Sequence, residues 1–358
     1  MSRFFSEKFA RLTPYVPGEQ PRQRKYVKLN TNESPFPPSK RVVEAVENAA
    51  KTAQLYSDPT CDLLVKKAAE VLGVSPAQIL PTNGSDEILN FAFVAFCDQN
   101  TPAVFPDITY GFYEVFAALG GVEYKKIPLR EDFSVEPSDY FHAGGTVFIA
   151  NPNAPTGLCL SLSQVEEIVK NNMENVVVID EAYVDFGGES AVKLVDKYEN
   201  LLVTQTFSKS RSLAGARLGL GIASKSLIAD LNTIKYSTNP YNVNSMTLAA
   251  GVASLQEQEL FEEHCQAIIN SREYTAGALK ALGFEVLDSK TNFLFVKSSK
   301  IGGEELYLKL KERGILVRHF NGERIFEFNR VSVGTKEQMD AFLGAVKDIL
   351  KEKGNESV

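Results

Sequence analysis

Five short apolar runs recur through the middle of the chain: Ala103–Phe105, Val147–Ala150, Val176–Ile179, Leu201–Thr204 and Leu218–Ala223. Each is bounded by polar or turn residues. Runs this short, with no apolar–polar alternation, suit strands buried on both faces of a parallel sheet. Helical segments intervene. Val42–Leu55 is one, and Asp62–Leu72 is another, with Thr60 as its cap and Gly73 as its stop. Asp86–Phe96 follows the turn at Asn83–Gly84, and Gln164–Asn171 carries Ser163 and Glu166 at capping-box spacing. The alternation predicts an α/β fold, a central mostly parallel sheet flanked by helices.

The flanks differ in texture. Before Lys40 the chain is rich in proline (Pro14, Pro17, Pro21, Pro35, Pro37 and Pro38) with one short helix expected near Phe4–Leu12. A proline-stiffened arm with aromatic residues is expected to dock on the folded body. Beyond Tyr241 a long helical stretch, Val243–Leu282, leads to strands Phe284–Leu287 and Phe293–Lys297. A helix Gly303–Arg313, strands Leu316–His319 and Arg330–Val333, and a helix Lys336–Lys351 complete an α+β grouping. A length of 358 residues accommodates two domains. We expect residues 36–240 to form a large domain, and 1–35 with 241–358 to form the arm and a smaller one.

Composition narrows the function. Lys and Arg number 38 against 45 Asp and Glu, a formal charge of −7 that argues against a phosphate-neutralising face for nucleic acid. The four cysteines, at 61, 97, 159 and 265, form no CxxC pair, and the three histidines are scattered. No metal site is expected, and free thiols suit a reducing cytoplasm. The N-terminal segment lacks a continuous apolar core, so no signal peptide is expected. No apolar run approaches the ~20 residues of a membrane span.

Ligands of open α/β sheets bind beyond the carboxyl ends of the strands. At those ends stand Asn151–Pro–Asn–Ala–Pro–Thr–Gly157, Asp180–Glu–Ala–Tyr183 and Gln205–Thr–Phe–Ser–Lys209. A carboxylate, a phenol, two hydroxyls and a lysine thus converge on one rim. Arg217 follows, ahead of the small-residue run Leu218–Gly–Leu–Gly221. That run lacks the third glycine and the preceding first strand of a dinucleotide fingerprint, which disfavours a nicotinamide-dependent dehydrogenase.

The ordered set resembles the fold-type I pyridoxal-phosphate aminotransferases of class I and II. The resemblance also takes in Tyr15–Val–Pro–Gly18, Leu29–Asn–Thr–Asn–Glu–Ser–Pro35, Tyr56, Asn83–Gly–Ser–Asp–Glu87, Pro106 to Gly111, Val317–Arg318 and Arg330–Val–Ser–Val–Gly–Thr335. It implies that Lys209 condenses with the aldehyde of pyridoxal 5'-phosphate and then moves the proton. Asp180 would pair with the ring nitrogen, Tyr183 with the phenolic oxygen, and Tyr110 would stack on the ring. The phosphate would lie against the backbone of Ser85 and Asp86, at a helix N-terminus, with Thr206, Ser208 and Arg217. Tyr56 would arrive from the partner of a homodimer.

Arg330 would clamp the substrate's carboxylate or phosphate, helped by Arg318 and Tyr15. The arm motif and Val317–Arg318 point to the histidinol-phosphate branch, which exchanges an amino group with glutamate and 2-oxoglutarate in histidine biosynthesis. Partners are then small anions, with no nucleic acid or membrane. The chain departs from the family where an asparagine usually precedes Pro155; here it is Ala154. Either Asn153 or Asn151 substitutes, or Tyr183 carries the contact alone, and Asn153 is taken as the candidate. Three rivals keep the cofactor: an aromatic-amino-acid aminotransferase, a threonine-phosphate decarboxylase-type lyase and a non-catalytic regulator. The last would need an added DNA-binding domain, and none is expected within these residues.

Overall fold

The computed structural model describes residues 2–9, 12–21 and 24–356. The first half of the chain runs β1 (Val27–Lys28), α1 (Lys40–Ala50), α2 (Asp62–Leu72), β2 (Ile79–Thr82), α3 (Ser85–Phe96) and β3 (Ala103–Pro106). It continues with α4 (Phe112–Gly120), β4 (Tyr124–Ile127), β5 (Thr146–Ala150), α5 (Leu162–Lys170) and β6 (Val177–Asp180). Then come β7 (Leu201–Thr206), β8 (Gly219–Ala223), α6 (Lys225–Thr238), α7 (Ser245–Leu255) and α8 (Gln258–Ala281). The remainder is β9 (Phe284–Val286), β10 (Phe293–Ser298), α9 (Gly303–Glu312), β11 (Ile315–Leu316), β12 (Arg318–His319), β13 (Asn329–Ser332) and α10 (Lys336–Glu356).

Seven strands form the main sheet in the order β2-β8-β7-β6-β5-β3-β4. Its pairings from β7 to β4 are parallel, and β8 is antiparallel to both its neighbours. The sheet is therefore α/β and mostly parallel, as expected, but Leu218–Ala223 contributes an antiparallel strand. Strands β2 and β4 were not foreseen: Ile79–Thr82 contains a proline, and Tyr124–Ile127 is mostly exposed and charged. Alternate strand residues feed two cores. Val147, Ile149, Val177, Ile179, Leu201 and Val203 pack with α2, α5 and α7, whereas Phe148, Val178 and Leu202 pack with α3, α4 and α6. Burial of both faces is the physical reason the runs read as continuously apolar.

A second sheet, β12-β13-β10-β9, is antiparallel and shares a core with α8, α9 and α10. The proline-rich arm docks here: β1 pairs in parallel with β11, and Leu29 is buried in the same core. Among the described residues no helix is long and apolar enough to cross a membrane.

Several local expectations need correction. The first helix starts at Lys40, capped by Ser39, and ends at Ala50 rather than running from Val42 to Leu55. Thr60 does not cap α2; Asp58 does, its carboxylate accepting from the Asp62 amide at 2.8 Å. The capping box of α5 is Ser161–Gln164, two residues before Ser163–Glu166. The stretch Val243–Leu282 is two helices, α7 and α8. Within Phe4–Leu12 a 3-10 turn spans Glu7–Phe9, and Ala10 and Arg11 lie outside the described residues.

Candidate active site

Strands β5, β6 and β7 point the same way, so Asp180 and Thr206 emerge at one rim of the sheet. Antiparallel β8 begins at that rim, which returns Arg217 to it. Two glycines set the spacing. A Cβ on Gly219 would stand 2.4 Å from the Ser85 amide nitrogen, so β8 meets the first turn of α3 backbone to backbone. Gly84 has φ +83°, and a Cβ there would stand 2.6 Å from the Arg217 guanidinium.

The result is an inner chamber of about 100 Å³ opening into a cleft of about 750 Å³. Tyr110, Ala154, Tyr183 and Lys209 line both. On one side of the chamber Arg217 donates to Asp86 Oδ2 at 3.0 Å and to Ser208 Oγ at 3.4 Å. Thr206 and Ser208 share a hydroxyl hydrogen bond of 3.0 Å, and Tyr110 donates its phenol to Asp86 Oδ1 at 2.8 Å. Asp180 also lines the chamber; it is only 4% exposed and accepts from the Tyr113 phenol at 3.0 Å and the Thr204 hydroxyl at 3.2 Å. Burial pushes its carboxyl up to about 6 from 3.8, although the Tyr113 hydroxyl pulls the other way.

Lys209 lines both the chamber and the cleft. Its Nζ donates to the Thr31 carbonyl at 3.2 Å and stands 5.9 Å from the Tyr183 ring centre. The Tyr183 oxygen accepts from Asn32 Nδ2 at 3.0 Å.

In the outer cleft, Arg318 and Arg330 are direct cross-strand partners, which puts both side chains on one face of the second sheet. Arg330 lies near the rings of Phe293 and Phe320, at 5.3 and 5.6 Å, and donates to the Asn30 carbonyl at 3.1 Å. Its Nε is buried with no partner, and burial pushes its pKa down. Arg318 donates to the carbonyls of Val16 and Pro17 in the arm. Tyr15 stacks on Phe112 at 4.3 Å and faces Tyr110 at 6.5 Å.

Lys209, Asp180, Tyr183, Tyr110, Ser85, Asp86, Thr206, Ser208 and Arg217 are thus brought together, with Arg330, Arg318 and Tyr15 beside them. Asn153 is not among them. Its side chain accepts from Thr109 and donates to the Ile108 carbonyl and Thr156, which leaves it bracing the loop after β5. Asn151 is used in the same way, bonded twice to Leu160. Tyr56 lines neither cavity; it is 83% exposed and stacked on Tyr241 at 4.5 Å. Sequence reasoning missed Tyr113, Thr204 and Asn32. The first lies three residues past Tyr110, and Asn32 lies in the quoted Leu29–Pro35 segment, so both had a positional signal.

The family model for aminotransferase class I and II matches residues 24–346. Histidinol-phosphate aminotransferase of Brachyspira hyodysenteriae is 49% identical over 353 residues, covering 98% of this chain and 100% of that one. The protein of that name from Clostridium botulinum is 45% identical, covering 98% and 99%. Among solved structures, histidinol-phosphate aminotransferase from Sinorhizobium meliloti, in complex with pyridoxal-5'-phosphate, matches with a TM-score of 0.84 at 25% identity, covering 92% of each chain. With a family match over most of its length and relatives close to half identical from end to end, the chain belongs to the class I and II aminotransferases.

Proposed function

We propose that this chain interconverts histidinol phosphate and 2-oxoglutarate with imidazole acetol phosphate and glutamate, a step of histidine biosynthesis. Two arginines carry the assignment. Arg318 and Arg330 stand side by side in a cleft that leads to Lys209, and Arg330 holds a buried, unpartnered Nε. A guanidinium in that state demands an anion, and phosphate and carboxylate both fit its fork. Histidinol phosphate brings the first and glutamate the second.

The cofactor is pyridoxal phosphate, and the residues present fit it. Hydroxyls, a guanidinium and a helix N-terminus suit its phosphate, and a buried carboxylate in the same chamber suits a protonated ring nitrogen. When bound, it supplies the electron-accepting ring that lets the substrate carbon bearing nitrogen release its proton.

The chain's own groups do the rest. Thr206, Ser208, Arg217 and the first turn of α3 would hold the phosphate. Asp180, buried and fixed by Tyr113 and Thr204, would pair with the cofactor's ring nitrogen and favour its protonated form. Lys209 Nζ takes the substrate proton and returns it, from a position tethered to the Thr31 carbonyl. Arg330 and Arg318 orient the substrate by its anionic end, and Tyr15, stacked on Phe112, adjoins Tyr110 as an aromatic wall of the cleft.

The proposal includes a homodimer in which Tyr56 reaches the partner's phosphate; its exposure and its absence from this chain's own chamber support this. A cytoplasmic setting goes with the free thiols at Cys61, Cys97, Cys159 and Cys265. The proposed division of the chain has a cofactor unit from residue 36 and a smaller unit formed with the arm. Helix α7 belongs on the cofactor side, because Ala250, Ala253 and Leu255 lie in the main sheet's core.

The test is direct: incubate the purified protein with histidinol phosphate and 2-oxoglutarate and measure glutamate. Glutamate formation is expected. Absence of turnover alongside brisk use of phenylalanine would replace the substrate assignment with an aromatic one, and release of carbon dioxide from threonine phosphate would replace it with a lyase.

A further inference from the structure

Ala154 stands where the family's asparagine would serve the cofactor's ring oxygen, and neither neighbouring asparagine is available. An amide nevertheless enters the site from another part of the chain. Asn32 is 1% exposed, has φ +55°, and donates Nδ2 to the Tyr183 oxygen at 3.0 Å. Its orientation is wired from behind. The Ser332 hydroxyl accepts the Asn32 amide N–H at 2.9 Å and spends its own proton on Asn32 Oδ1 at 2.8 Å. Asn292 Nδ2 holds the Asn32 carbonyl at 2.9 Å. With Oδ1 committed to Ser332, only the amino group of Asn32 can face Tyr183.

We infer that Asn32 is a positioning residue for Tyr183, setting the direction of the phenol's proton and thereby the proton affinity of the bound cofactor. Tyr183 accepts from Asn32, so its single O–H is left to donate into the chamber it lines. A phenol donating to a ring oxygen stabilises the oxygen's anionic form and lowers the pH at which the bound cofactor titrates. Lys209 lies 5.9 Å from the Tyr183 ring centre and Arg330 lies close by, while Asp86, Asp180 and Arg217 line the same chamber; its other close neighbour is the edge of Phe293. Arg330 and Arg217 have no acceptor, and the carboxylates of Asp86 and Asp180 already accept from Tyr110, Arg217, Tyr113 and Thr204, so none of these holds the phenol's proton.

The placement also ties the arm to the chemistry. Consecutive residues Asn30, Thr31 and Asn32 contact Arg330, Lys209 and Tyr183 in turn, the first two through carbonyls and the third through its side chain. Only the third contact depends on side-chain identity, which makes Asn32 the position to test.

This rests on the cofactor assignment above, and the holoenzyme's visible absorption separates the two. If the wild-type protein binds no pyridoxal phosphate, the assignment fails. If it does, the pH midpoint of that band is read in Asn32→Asp, Asn32→Ala, Tyr183→Phe and the double variant N32D/Y183F. Asn32→Asp keeps an acceptor for Ser332 but cannot donate to Tyr183, and as a carboxylate it takes the phenol's proton for itself. The midpoint is expected to rise by about one pH unit in N32D, the size of one lost hydrogen bond to a charged oxygen. It should rise similarly in Y183F, with no further rise in the double variant. Adding Ala154→Asn to N32D should restore the midpoint. A midpoint unchanged in folded N32D, or a shift that adds in full to that of Y183F, would overturn the inference. If N32A fails to fold, N32D, which retains the Ser332 contact, decides alone.

Discussion

Asp180 shows how one residue trades stability for chemistry. It ends β6 with its carboxylate enclosed, and burial holds its pKa at about 6 against an ordinary 3.8. The folded protein therefore binds this proton more tightly than the unfolded chain does. Its stabilising contribution is complete below about pH 4 and is lost as pH rises through 6. Its neighbour Glu181, raised by burial to about 7, acts in the same direction. Cofactor-free protein should thus lose stability between pH 4 and 7 in urea unfolding. Asp180→Asn should recover on the order of 2 kcal/mol at pH 7.5 and nothing at pH 4, while lowering kcat by at least about 100-fold. At this scale the sequence was informative where a residue type stood at a strand end. Lys209, Asp180, Tyr183 and Arg217 all reach the chamber they were expected to share. Asn153 misled, because adjacency to Ala154 says nothing about where a side chain points once its loop has used it.

At the scale of elements, the strands of the main sheet were legible because burial on both faces leaves an unbroken apolar run. Strands β2 and β4 were not: one carries Pro81 and the other Lys125 and Lys126, and both take their place from neighbours rather than from composition. The contact of β8 with α3 is the most exacting in the site. Gly219→Ala would drive a methyl into the Ser85 amide at 2.4 Å, and backbone cannot rotate away as a side chain can. The first turn of α3 must retreat from the phosphate side of the chamber. We expect a cost of about 1–3 kcal/mol in thermal unfolding. The rate of pyridoxal phosphate release should rise by about tenfold or more. Release at the wild-type rate would show that the close approach does not position the cofactor.

At the scale of the whole molecule, the site is assembled from three distant stretches. The arm supplies Tyr15 and Asn30–Asn32, the main sheet supplies Asp180, Tyr183, Lys209 and Arg217, and the second sheet supplies Arg318 and Arg330. The proposed homodimer adds a fourth, Tyr56, and can be tested by complementation. Lys209→Ala and Tyr56→Ala chains, co-expressed, should yield mixed dimers with one intact site. Random pairing would then restore up to about a quarter of native activity. No gain over the separate variants would argue that Tyr56 acts within its own chain or not at all. The sequence by itself determined the alternation of strand and helix, the rim on which the chemistry gathers, and the cationic residues that gather at one site despite a net charge of −7. These follow from burial and from strand direction, both of which are local or periodic. Only the tertiary structure decided that β8 runs backwards, that Asn153 is spent on its own loop, and that Asn32 meets Tyr183 across 151 positions of sequence. Contacts of that kind depend on how separate elements dock, and no local pattern of residue types encodes the result.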